Sequence, residues 1–346
     1  MSVQPPTSGR DAPAPEQSPA WQLMRLLDGF VTTQLLCVAA KLGVAGVLAD
    51  GPRSGAEVAE AVGVDPRTMT RVLRGLAIED VVAETDDGRF ALTPVGACLD
   101  ALGGAALVRG EVYYRSAGGL LDAVLDGGTA FERVYGERFF DHLDGHREHG
   151  AAFQASMAGR ADQEASDVVA AYDFGGVQRL VDVGGGRGVL LAAILQAVPE
   201  LRGVLFDREA AVSAARTHLD AAGVGDRAVC AAGDFFVEVP ADADAYVLSR
   251  VLHDWDDDDA GRILARCRSA MRPDSRLLVV EAILPERARD LPAAIRMDLH
   301  MLLLLGARER TAAEFRELLS QAGFEVQRVV PTQSPAGLGV IVATPA

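Results

Sequence analysis

The segment Val251-Leu252-His253-Asp254-Trp255 contains the side chain best suited to acid–base chemistry. It ends an apolar run that predicts a strand, and the carboxyl ends of parallel strands are where active sites lie in folds that alternate strands and helices. Histidine, with a solution pKa of about 6.5, is the usual general base at neutral pH. Although a lone histidine is more often structural, this position favours a catalytic role for His253.

A glycine-rich loop follows another predicted strand, LVDV, and opens a helix. Counted from Gly184 its pattern is G-x-G-x-G, and Val189 stands where a dinucleotide fingerprint requires its third glycine. Asp207 ends the next predicted strand, 23 residues after Gly184, where a carboxylate can accept hydrogen bonds from both ribose hydroxyls. Together these residues predict a site for a nucleoside ligand that has no pyrophosphate.

Two further acidic motifs follow predicted strands. Asp234 and Phe235, in GDFF, could meet the edge and the face of an adenine, although Phe235 and Phe236 could equally be core. The four aspartates at positions 256–259 look like a metal cluster, but they precede the segment DAGRILARCRSAM, which is predicted to be a helix. Acids at that position cap exposed N–H groups and favour the helix dipole, so no metal site is predicted.

The elements that must position these residues alternate between strand and helix from about residue 171 onward. The strand candidates are LVDV, GVLFD, AVCAAGDFF, AYVLSRVL, RLLVVEAIL, EVQRVVPT and GVIVATPA. Thr311 and Glu314 form a capping box that opens the helix TAAEFRELLSQAGF. The alternation predicts an α/β fold with a mostly parallel, doubly wound sheet. The last two strands have no helix between them and predict a closing antiparallel hairpin.

The N-terminal part of the chain has a different pattern. Residues 1–20 contain five of the 16 prolines and predict a disordered tail. From Trp21 a helical segment is apolar on more than one face, so it must be buried, against a second chain for example. The Ser54/Glu57 capping box, the Asp65-Pro66 helix start and a hairpin turn at Asp87-Gly88 then predict helix, turn, helix and hairpin, which is a winged-helix pattern.

Composition excludes several classes of protein. The 346 residues carry 33 basic and 49 acidic side chains, a net charge of −16, which makes nucleic acid an unfavourable partner. No apolar run approaches the ~18 residues of a membrane span, and the N-terminus lacks the apolar core of a secretory signal. The four cysteines form no C-x-x-C pair, which favours a reducing, cytoplasmic environment.

The motifs G-x-G-x-G, the acid after the second strand, GDFF, LHDW, EAILPE and GARERT occur in this order along the chain. As a set they resemble the S-adenosylmethionine-dependent O-methyltransferases that include plant caffeate and flavonoid enzymes and bacterial antibiotic-tailoring enzymes. The resemblance implies a class I methyltransferase sheet of seven strands, the last antiparallel, and an N-terminal winged-helix dimerisation domain. It also implies S-adenosylmethionine as cofactor and a homodimer. The implied division is a tail (1–20), a dimerisation domain (21–100), a helical linker contributing to the substrate pocket (101–170) and a cofactor-binding catalytic domain (171–346).

The family's functional residues carry over by motif. His253 matches the general base, and Glu281 and Glu309 match its two supporting acids, either of which would orient the imidazole. The matching cofactor contacts are Gly184, Gly186, Asp207, Asp234, Phe235, Ser249 and Arg250. Two departures exist: Ser249 replaces a lysine of the plant enzymes, and Gly306-Ala307 replaces a pair of glycines.

An apolar pocket for a flat aromatic acceptor is also implied by family position. The candidate substrate contacts are Phe140, Phe153, Met157, Asp254, Met297, Asp298 and Met301. Methionine packs adaptably against flat rings, which favours Met157 and Met301, although a methionine or aromatic residue at helical spacing is more often core. The implied reaction is methylation of a phenolic hydroxyl of an aromatic natural product.

Other functions remain open at this stage. A DNA-binding regulator would use the arginines of the second winged-helix helix, but the acidic chain opposes it. A nicotinamide-dependent dehydrogenase conflicts with Val189 and with LHDW. Hydroxylation or decarboxylation on the same scaffold, or methylation of a ring nitrogen, are closer alternatives. The presence of His253, Glu281 and Glu309 favours methyl transfer to oxygen, because a nitrogen acceptor needs no base.

Overall fold

The computed structural model describes residues 18–346, apart from the side chains of residues 158–159. The chain divides into two compact units, one ending at Tyr114 and the other spanning Arg115–Ala346. Most of the predicted tail lies outside the described residues. The first helix begins at Pro19, two residues before Trp21, where the sequence predicts helical structure to start.

The first unit contains short helices and one hairpin. Its elements are α1 (Pro19–Leu27), α2 (Gly29–Lys41), α3 (Val44–Leu48), α4 (Gly55–Val62), α5 (Pro66–Ala77), β1 (Val82–Glu84), β2 (Phe90–Leu92), α6 (Pro94–Ala97) and α7 (Gly103–Val108), followed by a π-helical turn and by α8 (Tyr114–Ser116) at the boundary.

The predicted local signals of this unit are present in the structure. Ser54 Oγ accepts from the N–H of Glu57 at 3.2 Å, and the Glu57 carboxylate accepts from the N–H of Ser54 at 2.7 Å, so the capping box opens α4. Asp65 caps α5, with Pro66 as its first residue. β1 and β2 are antiparallel, and Gly88 adopts φ 78° in their turn. This arrangement confirms the predicted winged-helix pattern.

The apolar faces of α1 and α2 are exposed within the single chain. Trp21 is 51% exposed, Leu26 72% and Phe30 53%, and α1 has no buried residue. Among the described residues no single helix is long and apolar enough to cross a membrane, whereas the bent pair α1–α2 meets that criterion by length and composition alone. A monomeric protein rarely exposes a contiguous apolar surface of this kind, so we expect another chain to cover this face.

The second unit continues with helices and then alternates strands and helices. Its elements are α9 (Leu120–Asp126), α10 (Ala130–Tyr135), α11 (Phe139–Gly145), α12 (Arg147–Ala171), β3 (Arg179–Val183), α13 (Val189–Ala197), β4 (Arg202–Asp207), α14 (Glu209–Ala221), β5 (Ala228–Ala232), β6 (Ala245–Ser249), α15 (Asp257–Ala270), β7 (Arg276–Leu284), α16 (Pro292–Leu304), β8 (Arg310–Thr311), α17 (Ala312–Gln321), β9 (Phe324–Pro331) and β10 (Leu338–Pro345).

The main sheet has the order β5-β4-β3-β6-β7-β10-β9. β3 to β7 pair in parallel, and β10 runs antiparallel to both of its neighbours, β7 and β9. This confirms the predicted sheet of seven strands with an antiparallel last strand. The two-residue strand β8, which the sequence did not predict, pairs in parallel with the end of β7.

Both faces of the sheet are covered, which explains the nearly continuous apolar strands. Successive side chains of a strand point to opposite faces. Leu180 therefore packs into the core cluster with Leu191 and Ile194 of α13, whereas its neighbour Val181 packs into the other cluster with Phe315 of α17. Because β4 and β6 flank β3 on opposite sides, the loops after β3 and β6 line the crevice at the point where the strand order reverses, the usual ligand position in such sheets.

Candidate active site

The loop that carries His253 begins earlier than the sequence predicts. β6 ends at Ser249, not at Leu252, because Arg250 adopts φ 56°, a left-handed conformation that does not continue a strand. Residues Leu252–Asp254 then form a 3-10 turn, and His253 is buried. The histidine therefore projects from a tight turn just beyond the strand.

Carboxylates face both nitrogens of the His253 ring. Nδ1 lies 2.9 Å from Oε1 of Glu309, and Nε2 lies 3.3 Å from Oδ1 of Asp254. Burial alone would lower the pKa of His253, but the negative charges of Asp254 and Glu281 and the hydrogen bond to Glu309 outweigh burial and raise it to about 9. With this pKa the imidazole is protonated at neutral pH.

Glu281 contacts the backbone of this loop rather than the imidazole. Its Oε1 accepts hydrogen bonds from the N–H groups of Val251 at 3.0 Å, Leu252 at 2.8 Å and His253 at 3.3 Å. Complete burial raises the pKa of Glu281 to about 7, against the opposing effects of His253 and Arg250. Of the two acids that could orient the ring, Glu309 is thus the one bonded to it, and Glu281 holds the turn.

Arg250 faces the two buried glutamates. Its Nη1 lies 3.4 Å from Oε1 of Glu309 and 3.8 Å from Oε2 of Glu281. The sequence assigned Arg250 a contact with the cofactor and did not predict this contact. A cation between two buried carboxylates offsets part of the cost of removing their charges from water. Ser249, the other residue at this predicted contact, lies half-buried at the end of β6.

Asp298 contributes to the same group from α16. Its Oδ1 accepts a hydrogen bond from the backbone N–H of Glu309 at 2.9 Å. The sequence interpretation made Asp298 a substrate contact, which stays a prediction, and in the structure Asp298 fixes the segment that presents Glu309. Asp254, the other acid assigned to the substrate, lies beside the His253 ring.

The glycine loop and Asp207, which the sequence predicts to form a nucleoside site, are joined by a hydrogen bond in the structure. Gly184, Gly186 and Gly188 have φ values of 72°, 55° and 78°, which L-residues with side chains rarely adopt. Asp207 Oδ2 accepts from the N–H of Gly186 at 2.8 Å, and its Oδ1 accepts from the N–H of Arg208 at 2.6 Å. A Cβ at Gly186 would meet no atom within 4 Å, so open space lies beside a carboxylate held in place.

The loop after β5 carries the remaining predicted cofactor contacts, Asp234 and Phe235. Asp234 is exposed and accepts from the N–H of Phe236 at 2.8 Å, which fixes the turn. The half-buried ring of Phe235 lies 5.1 Å from Phe236 and 6.0 Å from Trp255 and packs against the core. A fixed acid, open space beside Gly186 and a half-buried aromatic ring fit the ribose and adenine of S-adenosylmethionine.

Asp182, which the sequence reasoning passed over, lies beneath this loop. It is 1% exposed, and neither carboxylate oxygen has a hydrogen-bond partner among the described residues. Burial, with a smaller contribution from Asp207, raises its pKa to about 7. A Cβ at Gly185 would lie 2.6 Å from Asp182 Oδ2, so the loop packs directly on the acid. The signal in the sequence was one acid inside the otherwise apolar strand LVDV.

Two helical regions carry the predicted substrate contacts. Phe140 and Phe153 lie in one aromatic group with buried Phe139, whose ring centroid is 5.4 Å from each of theirs. Met157 follows Phe153 by one helical turn on α12. Met297 is half-buried and Met301 buried, and both lie on α16 with Asp298. That these groups share one pocket remains a prediction.

A second cluster of metal-ligating residue types lies between α10 and α12. His142 Nδ1 is 2.7 Å from the Glu137 carboxylate, and its Nε2 is 2.9 Å from Nδ1 of His149. The rings of His142 and His146 stack at 3.8 Å with 20° between their planes. Because a metal ion lies near the plane of each imidazole that binds it, two stacked rings do not converge on one ion, and the cluster as placed is a packing and hydrogen-bond group.

The sheet order, the glycine loop tied to Asp207 and the buried His253–Glu309 pair together define a class I methyltransferase. The chain belongs to the O-methyltransferase family: residues 118–325 match its O-methyltransferase domain and residues 24–100 match its dimerisation domain. It is an S-adenosylmethionine-dependent methyltransferase, and the predicted family, fold and cofactor are confirmed.

Three relatives show the range of named activities. The chain is 44% identical to a phenazine O-methyltransferase of Lysobacter antibioticus, over 93% of this chain and 95% of that one. It is 38% identical to a 3-amino-4-hydroxybenzoate 4-O-methyltransferase of Streptomyces cremeus (93% and 89%). It is 34% identical to a phenazine-1-carboxylate N-methyltransferase of Pseudomonas aeruginosa (90% and 93%).

Solved structures agree with this assignment. The mitomycin 7-O-methyltransferase superposes with a TM-score of 0.88 at 36% identity, over 94% of this chain and 97% of that one. An O-methyltransferase from neocarzinostatin biosynthesis, solved with S-adenosylmethionine and 2-hydroxy-5-methyl naphthoic acid, has a TM-score of 0.81 at 32% identity (93% and 98%).

Proposed function

We propose that this protein transfers a methyl group from S-adenosylmethionine to a phenolic hydroxyl of an aromatic natural product, with His253 as general base. The observation that carries the proposal is the buried hydrogen bond between His253 Nδ1 and Glu309 Oε1, at 2.9 Å. The other ring nitrogen, Nε2, lies 3.3 Å from Asp254 Oδ1, a contact that an acceptor hydroxyl would replace. The named oxygen-methylating relatives support the same reaction.

The role of the base follows from acidities. S-adenosylmethionine, when bound, supplies an electrophilic methyl group. A phenol has a pKa near 10, like tyrosine, and is mostly neutral at pH 7. Since the pKa of His253 is raised to about 9, proton transfer from a phenol to its neutral form is nearly balanced. Glu309 stabilises the imidazolium that results and fixes the ring orientation, as the third member of a catalytic triad does.

Methylation of a ring nitrogen is the second candidate, because one relative is named as an N-methyltransferase. That reaction needs no base at Nε2. Burying the acids around His253 costs free energy, and methylation of a nitrogen makes no use of them. Their presence therefore favours an oxygen acceptor. Hydroxylation or decarboxylation on this scaffold is disfavoured because His253, Glu281 and Glu309 are all present and in contact.

The proposal includes a cytoplasmic homodimer. The match to a dimerisation domain and the exposed apolar faces of α1 and α2 support self-association. The four cysteines are unpaired, as in proteins of a reducing compartment. Residues 21–100 would form the dimerisation domain, residues 101–170 would contribute to the pocket, and residues 171–346 would bind the cofactor.

Cofactor binding is tested first by calorimetric titration with S-adenosylhomocysteine. Wild type and Asp226→Ala, which removes an exposed acid outside the crevice, are expected to bind at micromolar concentration, and Asp207→Ala is expected to lose binding at least tenfold. Equal binding by Asp207→Ala would contradict the proposed site.

The acceptor atom is tested with 3-amino-4-hydroxybenzoic acid, which offers an amine and a phenol on one ring, and with 1,4-dihydroxy-2-naphthoic acid. The methylated position is read by mass spectrometry and NMR. We expect O-methyl product from wild type and a loss of about 10²-fold or more in kcat for His253→Ala. N-methyl product, or full activity of His253→Ala, would overturn the proposal.

A further inference from the structure

Arg310 is the largest fully buried side chain among the described residues. It follows Glu309 directly, and its guanidinium contacts the loop that carries His253. Nη1 donates to the carbonyl of Leu252 at 2.8 Å, and Nη2 donates to the carbonyl of Trp255 at 2.9 Å. These two carbonyls lie on either side of His253 in the sequence.

A carboxylate completes the set of acceptors around Arg310. Nε and Nη2 donate to Oδ1 of Asp257 at 2.9 and 2.7 Å. Burying a guanidinium is costly unless its donors are satisfied, and here they meet two carbonyls and one carboxylate. The planar fork of arginine suits this arrangement, which the point charge of lysine cannot reproduce.

The backbone explains how the adjacent residues Glu309 and Arg310 contact different groups, the His253 ring and Asp257. The segment that carries them ends in β8, residues Arg310–Thr311, which pairs in parallel with the end of β7. In extended backbone alternate side chains point in opposite directions. Glu309 thus faces the imidazole, whereas Arg308 and Arg310 both face Asp257, Arg308 through Oδ2 at 2.7 Å.

We propose that Arg310 is a positioning residue of the reaction: it holds the turn around His253 by its carbonyl side, from the same segment that presents Glu309, and so fixes the imidazole on its carboxylate. Glu281 accepts hydrogen bonds from N–H groups of the same turn. Buried charged groups therefore bond to both the N–H groups and the carbonyls of this loop. This inference rests on the proposed role of His253.

Three variants test it. Arg310→Lys keeps the charge and loses the fork, and Asp257→Asn removes the anchoring carboxylate at a half-exposed site without opening a cavity. Arg308→Gln is the matched control, because Arg308 binds the same Asp257 and also Glu314 but touches neither loop carbonyl. Circular dichroism and S-adenosylhomocysteine titration show whether each variant is folded and keeps its cofactor site.

Two readouts then address His253 itself. The first is kcat and KM with 3-amino-4-hydroxybenzoic acid and 1,4-dihydroxy-2-naphthoic acid. The second, which needs no acceptor, is the pKa of His253 by NMR of histidine-labelled protein, assigned with His253→Gln. The charged groups that influence the pKa of this ring are Asp254, Glu309, Glu281 and Arg250. A ring that moves from Glu309 loses the hydrogen bond that stabilises its charged form.

We expect Arg310→Lys and Asp257→Asn to lose about tenfold or more in kcat with KM within about twofold, and the pKa of His253 to fall by about 1. Arg308→Gln should resemble wild type in both readouts. If folded Asp257→Asn and Arg310→Lys keep the wild-type pKa of His253, the inference is wrong, whatever the acceptor. If His253→Ala keeps full activity, the proposed base is wrong instead, and the NMR result still decides the positioning role.

Discussion

The backbone N–H of Gly186 donates a hydrogen bond of 2.8 Å to the carboxylate of Asp207, which joins the loop after β3 to the end of β4. Gly186 adopts a left-handed φ of 55°, a conformation that favours glycine at this position. The backbone of the loop therefore orients the acid, and open space lies beside it.

Substitution of Gly186 by alanine should weaken cofactor binding. The added methyl group would enter the open space beside Asp207, and the left-handed backbone would cost roughly 1 kcal/mol of stability. Gly176→Ala is the matched control, because Gly176 also has positive φ (82°) and no atom within 4 Å of an added Cβ, but lies before β3. Calorimetry should show a loss of about tenfold or more in S-adenosylhomocysteine affinity for Gly186→Ala alone, and an equal loss in both variants would attribute the effect to strain.

The pH dependence of the reaction should follow His253. Because the pKa of this imidazole is raised to about 9, the neutral base forms only as the pH approaches that value, and kcat/KM should rise with pH up to about 9. Glu309→Gln removes a negative charge that stabilises the imidazolium, so the rising limb should move to lower pH while the maximal rate falls. A pH–rate profile checks both points. If kcat/KM of Glu309→Gln rises over the same pH range as that of wild type, the ionisation of His253 does not govern that rise.

How far the sequence determines this molecule depends on the distance over which each signal acts. The capping box of Thr311 and Glu314 and the glycine loop were predictable because residues a few positions apart determine them. Which of Glu281 and Glu309 bonds to the His253 ring was not predictable, because 28 and 56 positions separate these acids from His253. Their orientations depend on the pairing of β8 with β7 and on the left-handed turn at Arg250, neither of which has a local signature.

The buried carboxyl of Asp182 should make the protein less stable as pH rises. Burial raises its folded-state pKa to about 7 from an unfolded value of 3.8, so the folded state binds the extra proton between those values. Stability from this group is full below about pH 4 and is lost as pH rises toward 7. Asp182→Asn, which stays neutral, should therefore be more stable than wild type at pH 8, by roughly 2–4 kcal/mol, and differ little at pH 4. Thermal unfolding at both values tests this, and a variant without any gain at pH 8 would contradict the assignment.

Self-association should depend on the exposed apolar face of α1 and α2. Leu26 and Phe30 are 72% and 53% exposed, and covering each would contribute ~1.5–3 kcal/mol to a dimer. The double variant Leu26→Glu/Phe30→Glu should therefore weaken the dimer by roughly a hundredfold or more, because it removes apolar contact and places like charges on the same face of both copies. Val229→Glu, at a valine that is 62% exposed on β5, is the control and should leave the dimer intact. Sedimentation velocity over a concentration series distinguishes the two, and a wild-type chain that sediments as a monomer at every concentration would remove the basis for the dimer.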